Sequence, residues 1–354
     1  MLLSTARALF PGAMGPDGFI SCFDHLIPEQ DLRRMLILKG GPGVGKSTFM
    51  RRIHAAMTEN DEQATLYFCS GDPDSLDAVA IPAHGLLILD GTAPHVVDPK
   101  VPGARDSIIN LGECLNEEAM RPRLPHIRTC MTDHAAASRR ARTFMQTIRA
   151  LRLECAASAA ECMDDQRLAR MTDALIAAAI PQRAAAAQPA HVRPVITDAL
   201  TPKGEVCLLT GSQYDRVIRI AHHFAMDLTP VLRTLSHAAQ QAGYDVEEHL
   251  CALAPGSLLH LSIPALSTLI TTSDKLTSEL IFDFAACLPA ASLLRRECAL
   301  EQARGAIIRH TQLAADAMAQ AKQLHDELET FYVPNMDFSR WQQIFDQTLF
   351  SIRA

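Results

Sequence analysis

The sequence predicts an α/β protein made of two tandem copies of one unit, each a parallel sheet followed by a helical hairpin. Three observations predict it. An apolar run near the N-terminus leads into a glycine-rich loop and then a helical pattern. Residue patterns of the first half recur in the second. Each half also ends in a long stretch rich in Ala, Leu, Arg, Gln and Glu with few helix breakers. The 354 residues leave room for about two domains of ordinary size.

The first element is the strand Met35-Leu36-Ile37-Leu38-Lys39, followed by Gly40-Gly41-Pro42-Gly43-Val44-Gly45-Lys46-Ser47-Thr48 and a helical pattern from Phe49 to Met57. Gly40 to Ser47 fits G-x-x-x-x-G-K-[ST], a loop that needs a strand before it and a helix after it. Glycines let the backbone turn so that successive N–H groups converge on phosphate oxygens. The helix starting at Lys46 adds its positive end. Lys46 is expected to reach the β- and γ-phosphates of a nucleoside triphosphate, and the Ser47 hydroxyl to hold Mg²⁺. The candidate nucleotide-binding set is therefore Gly40, Gly41, Pro42, Gly43, Val44, Gly45, Lys46, Ser47 and Thr48.

Such a loop needs an acidic partner at the end of a neighbouring strand. Gly85-Leu86-Leu87-Ile88-Leu89-Asp90 supplies one, a continuous apolar run of the kind buried parallel strands show, ending in Asp90 as second Mg²⁺ ligand. A further strand is expected at Thr65–Cys69. No Glu follows Asp90; the chain reads Gly91-Thr92-Ala93-Pro94-His95. Thr92 or His95 is placed to sense the γ-phosphate or position water, and Asp72, Asp74 or Asp77 to act as base. Lys46, Asp90 and His95 form the candidate catalytic set. Each has a plainer reading: Asp90-Gly91 as a turn, His95 as a structural hydrogen bonder, the three aspartates as turn or cap residues.

The chain then repeats itself at an offset of about 183 residues. His54-Ala55-Ala56 recurs as His237-Ala238-Ala239, Cys69 as Cys251, Pro73-x-Ser75-Leu76 as Pro255-x-Ser257-Leu258, Ile81-Pro82-Ala83 as Ile263-Pro264-Ala265, and Cys114-Leu115 as Cys287-Leu288. In the copy the glycine-rich loop falls on His222–Pro230, which lacks glycine, with Thr229 and Pro230 at the places of Lys46 and Ser47. Asp90 falls on Thr272, and the loop Gly91–Gly103 is shortened. The second half is therefore expected to keep the fold without binding nucleotide in this way. The adjacent His222-His223 pair reads as structural, since neighbours on a strand point apart.

Ala174–Pro194, with Pro181, Pro189 and Pro194, reads as a linker, dividing the chain into domains 1–190 and 191–354. Residues about 131–179 and 291–330 are expected to form the hairpins. Residues 121–152 hold eight Arg against one acid, Asp133. A solvated helix face explains that run; a phosphate or nucleic-acid surface is its alternative, with Arg105, Arg139 or Arg140 as candidate arginine fingers.

Composition narrows the remaining classes. A net charge of -7 argues against a generally basic nucleic-acid coat. No run of 18 apolar residues suggests a membrane span, and Arg7 interrupts what a signal peptide would need. The ten scattered cysteines read as reduced core thiols of a cytoplasmic protein.

Taken together, Gly18-Phe19, Leu38–Thr48 (LKGGPGVGKST), Asp72–Asp77 (DPDSLD), Asp90–Gly103 (DGTAPHVVDPKVPG) and Met336–Phe338 (MDF) resemble an uncharacterised family of bacterial cytosolic ATPases built from two tandem P-loop domains. The resemblance spans nearly the whole chain. It implies ATP binding and ATP hydrolysis, with no known substrate; Mg²⁺ is the cofactor expected from Ser47 and Asp90. In that family the second half usually keeps a phosphate loop too, and this chain departs there. An ATPase whose degenerate second half moves with turnover is the leading expectation. A P-loop kinase acting on a small molecule or nucleotide is one alternative, and a non-catalytic ATP-gated module holding a protein partner is the other.

Overall fold

A computed structural model of the chain describes residues 6–58, 63–181 and 190–353. The first half contains β1 (Arg7–Leu9), the hairpin β2 (Gly12–Gly15) and β3 (Gly18–Ser21), β4 (Arg34–Lys39), α1 (Lys46–Met57), β5 (Thr65–Phe68), β6 (Leu76–Ile81), β7 (Leu86–Asp90), β8 (Asp106–Asn110), α2 (Glu117–Met120), α3 (Leu124–Ala160) and α4 (Asp165–Ala179). The second half contains β9 (Val192–Val195), the hairpin β10 (Asp198–Thr201) and β11 (Gly204–Cys207), β12 (Arg216–Ala221), α5 (Thr229–Gln241), β13 (Val246–Leu250), β14 (Leu258–Ile263), β15 (Thr268–Thr271), β16 (Leu280–Asp283), α6 (Ala290–Leu293), α7 (Glu297–Tyr332) and α8 (Phe338–Arg353). The linker expected over Ala174–Pro194 is shorter than that, since α4 runs to Ala179 and β9 starts at Val192; residues 182–189 lie outside the described residues.

Each half builds one six-stranded sheet, in the order β1-β5-β6-β7-β4-β8 and β16-β12-β15-β14-β13-β9. Matched strand for strand the two orders are the same. The expectation of parallel sheets needs correction, because both sheets are mixed. β4 runs parallel to β7 and β8, and β1 to β5, but β6 is antiparallel to both its neighbours. The cause is connection length. Only the turn Pro82–Gly85, with Gly85 left-handed at φ 57°, separates β6 from β7, and a parallel crossover needs about a dozen residues or more. β4 and β7 are buried on both faces: Leu36, Leu38, Leu86 and Ile88 face α1, whereas Met35, Ile37, Leu87 and Leu89 face Phe23, Leu26 and Ile27.

The helices depart further from expectation. Neither half folds its long helix back on itself as a hairpin. α3 is a single 37-residue helix, since Leu124–Ala160 has no glycine and its one proline sits in the first turn. It lies antiparallel to the 36-residue α7, joined through Ala141, Met145 and Ile148 against Ala314, Ala317 and Met318. The shorter helices cross over. α4 buries Leu175 and Ala179 in the core of the second half, beside Leu232 and Leu235 of α5. α8 in turn buries Trp341 and Phe345 in the core of the first half, beside Phe49 and Ile53 of α1. Matching backbone bonds fix both crossings: Asp164 N–H donates to Cys287 O at 2.9 Å, and Asp337 N–H to Cys114 O at 2.7 Å. Asp164 and Asp337 then cap α4 and α8, accepting from the N–H groups of Arg167 and Arg340.

The two sheets also meet edge to edge. Phe10 N–H donates to Ile196 O at 2.9 Å, just beyond β1 and β9. Beside that bridge, Arg7 of β1 and Arg193 of β9 both reach the buried carboxylate of Glu247 on β13. Among the described residues no helix is long and apolar enough to cross a membrane.

Candidate functional site

The glycine-rich loop joins the C-terminal end of β4 to α1. Gly43 and Gly45 hold φ values of 68° and 81°, the left-handed region open to glycine, and Gly45 sits where α1 begins. Lys46, the first residue of α1, curls back over the loop and donates to Gly40 O at 2.9 Å and Gly41 O at 3.0 Å. Its Nζ lies 3.5 Å from Asp90 Oδ2, at the end of the neighbouring parallel strand β7. Ser47 Oγ accepts from Leu76 N–H at 3.0 Å, which ties the loop to the start of β6.

Around Asp90 the sequence candidates sort themselves. Thr92 donates to Asp90 Oδ1 twice, from its N–H at 2.9 Å and its hydroxyl at 2.6 Å. His95 is brought in by a tight turn, its N–H donating to Thr92 O at 3.1 Å. Lys39 Nζ anchors the same loop at Gly91 O and Val97 O, both at 2.8 Å. Of the three aspartates in DPDSLD, only Asp77 enters the site: ligand atoms of Asp77, Asp90 and His95 all lie within 4.8 Å of one another. Asp72 instead pairs with Lys322 at 3.4 Å and Asp74 with Lys203 at 2.6 Å. Burial, and next the nearby Asp90 charge, push the Asp77 carboxyl up to about 7. Burial likewise lowers His95, against the opposing pull of Asp90.

The candidate arginine fingers do not converge here. Arg105 is bound to Asp106 and Glu29, Arg140 donates to Gln320 at 2.9 Å, and Arg139 is exposed.

Sequence reasoning missed the cover on the loop, which comes from the far end of the chain. Glu329 of α7 accepts a hydrogen bond from Gly43 N–H at 3.2 Å, and His325 lies 3.6 Å from the same carboxylate. A Cβ at Gly41 would stand 2.8 Å from the Tyr332 ring, and one at Gly43 2.8 Å from Val333. Trp341 Nε1–H donates to Val44 O at 3.1 Å. No local pattern pairs Gly43 with a residue 286 positions away. The available signal lay in the repeat: Met163-Asp164 and Met336-Asp337 share the offset of Cys114 and Cys287, so the caps of α4 and α8 belong to it.

The second half corrects one register. Thr229 Oγ1 accepts from Leu258 N–H at 3.1 Å, as Ser47 does from Leu76, so Thr229 stands at Ser47 and Leu228 at Lys46. The hydroxyl survives and the cation is lost. Leu259 and Thr272 replace Asp77 and Asp90, and Thr272 donates to the Leu259 carbonyl through both N–H and hydroxyl. Compared with protein-family profiles, curated proteins and solved structures, the chain matches none.

Proposed function

We propose that the first half binds a nucleoside triphosphate, with ATP the leading candidate, and hydrolyses it with Mg²⁺, while the second half supplies the cover. One observation carries the reading: a glycine-rich loop at the start of α1 whose lysine lies 3.5 Å from an aspartate at the tip of the adjacent parallel strand. Lys46 would leave the Gly40 and Gly41 carbonyls for the phosphates, joined by loop N–H groups and the positive end of α1. The Ser47 hydroxyl and Asp90 would hold Mg²⁺. Both are hard oxygen donors that suit it, and the ion would neutralise charge on the phosphate oxygens. Calorimetry with Mg·ATP is expected to show one site per chain. Lys46→Ala is expected to weaken it roughly a hundredfold by removing a charge-assisted contact. No heat of binding with ATP or GTP would defeat the reading.

The Glu329 carboxylate favours a second reading, an ATP-gated module in which nucleotide moves α7. His325, ahead of the opposing effect of burial, and the Gly43 N–H hold this carboxyl below its ordinary value, so it sits as an anion on an amide that phosphate would use. Glu329→Gln removes the competing charge and is expected to tighten ATP binding roughly three- to tenfold. Emission from Trp341, the chain's single tryptophan, reads the exchange directly because its indole is bonded to the loop. Tight binding with negligible phosphate release would favour the module over the hydrolase. An ADP burst that depends on an added acceptor would favour the kinase.

A further inference from the structure

We propose that Asp77, Asp90 and His95 form a divalent-metal site that takes a first-row transition ion of the Mn²⁺, Co²⁺ or Zn²⁺ class without any nucleotide present. The site shares Asp90 with the reading above but does not depend on it.

Three separate segments supply the donors: Asp77 from β6, Asp90 from the end of β7, His95 from the loop beyond. Their ligand atoms lie within 4.8 Å of one another. Donors about 2.0–2.2 Å from a metal stand roughly 3–4 Å apart, so the set has to close by about an ångström, with the Asp90 Oδ2 exchanging its Lys46 neighbour at 3.5 Å for the ion. Two carboxylates with one imidazole suit a borderline transition ion, whereas Mg²⁺ prefers oxygen alone.

A histidine packed merely as core would satisfy its ring nitrogens. Both nitrogens of His95 are buried and neither has a hydrogen-bond partner. The ring is also held in place. Phe23 stacks on it at 4.7 Å between centroids with an 11° tilt, and Phe19 lies at 5.6 Å. The Lys39 anchor fixes the loop that carries it. On its outer side the His95 loop borders a cavity of about 180 Å³ lined by Ser21, Phe23, Asp24, Asp98 and Lys100.

The copy in the second half offers an internal comparison. All three donors are missing from it together: Leu259 and Thr272 stand at Asp77 and Asp90, and the loop that would carry a histidine is cut short. There the facing positions bond to each other instead, the Thr272 hydroxyl donating to the Leu259 carbonyl at 2.9 Å.

The test uses the full chain, stripped of metal with a chelator and free of nucleotide, with Co²⁺ and Mn²⁺ as probes. Calorimetry is expected to find one Co²⁺ per chain, bound at least tenfold more tightly than Mg²⁺. Pulsed EPR of the Mn²⁺ complex is expected to show nitrogen coupling from an imidazole. His95→Gln should abolish that coupling and weaken Co²⁺ at least tenfold, and Asp77→Asn should weaken it similarly. Circular dichroism melts verify that the variants are folded. No Co²⁺ binding, equal binding by wild type and His95→Gln, or no nitrogen coupling in the wild type would each overturn the proposal. Because nucleotide is absent, none of these results bears on ATP binding, which the Lys46→Ala calorimetry tests separately.

Discussion

Glu247→Gln is expected to lower the unfolding free energy by about 3–5 kcal/mol, the usual cost of removing one partner from a buried ion pair. The Glu247 side chain is 6% exposed and sits between the guanidinium groups of Arg7 and Arg193, which are both 26% exposed. It also accepts from the Ser262 hydroxyl at 2.8 Å. A neutral amide leaves two cations facing each other where β1 and β9 meet, so the variant loosens the contact between the sheets. Urea unfolding at pH 7 measures it. A loss under about 1 kcal/mol would put this cluster in the class of surface bridges. The same cluster sets the acid limit. Burial alone would raise Glu247, but the Arg7 hydrogen bond and the two arginine charges bring its carboxyl well below the usual range. Its contribution is therefore present above the unfolded value of about 4.3 and lost as pH falls further. His249 adds to it. Burial, then the neighbouring His260, lower it to about 3, so the fold keeps it neutral while the unfolded chain takes up a proton near 6.5. Stability should fall as pH drops from about 6.5 towards 3, and Glu247→Gln should make only the part below about 4.3 shallower, leaving the part above it, which His249 sets.

Trp341→Ala is expected to be as damaging, at about 3–5 kcal/mol for the loss of a large buried aromatic. Trp341 meets the Phe49 ring edge-on at 5.5 Å and stacks on Phe345 at 5.8 Å, with the Arg52 guanidinium 5.3 Å from its centroid. It also holds the glycine-rich loop through Val44 O. Trp341→Phe keeps most of the packing and removes only that bond, at an expected cost of about 1–2 kcal/mol. Thermal unfolding of the two variants separates packing from loop anchoring. Similar losses in both would mean that the bond, not the ring, dominates.

The elements that local pattern reveals were legible in the sequence. The apolar run into Lys39, the helix from the glycine-rich loop and the strand ending at Asp90 lie where spacing put them, within a few residues. Repetition of His54, Cys69 and Ser75-Leu76 gave the equivalence of the two sheets. Three things were not legible, each for a physical reason. The direction of β6 depends on how short its turn is, and the apolar content of Leu76–Ile81 does not encode direction. Asp72, Asp74 and Asp77 look alike in sequence, and only the fold buries the third beside Asp90 while the others find lysines. The amphipathic patterns of α4 and α8 say that each needs a core, but not whose.

The crossing of those two helices has a consequence for the half that lost its cation and its carboxylates. That half cannot be dispensed with, because the wall closing the first core is made of its own last residues, and its own core is closed by residues from the first. The two halves behave as each other's missing piece. A polypeptide divided at the junction would yield two fragments with raw apolar flanks, each able to become whole only by finding the other. The glycine-rich loop itself touches that far end of the chain, at Glu329 and Trp341, with no other segment between them.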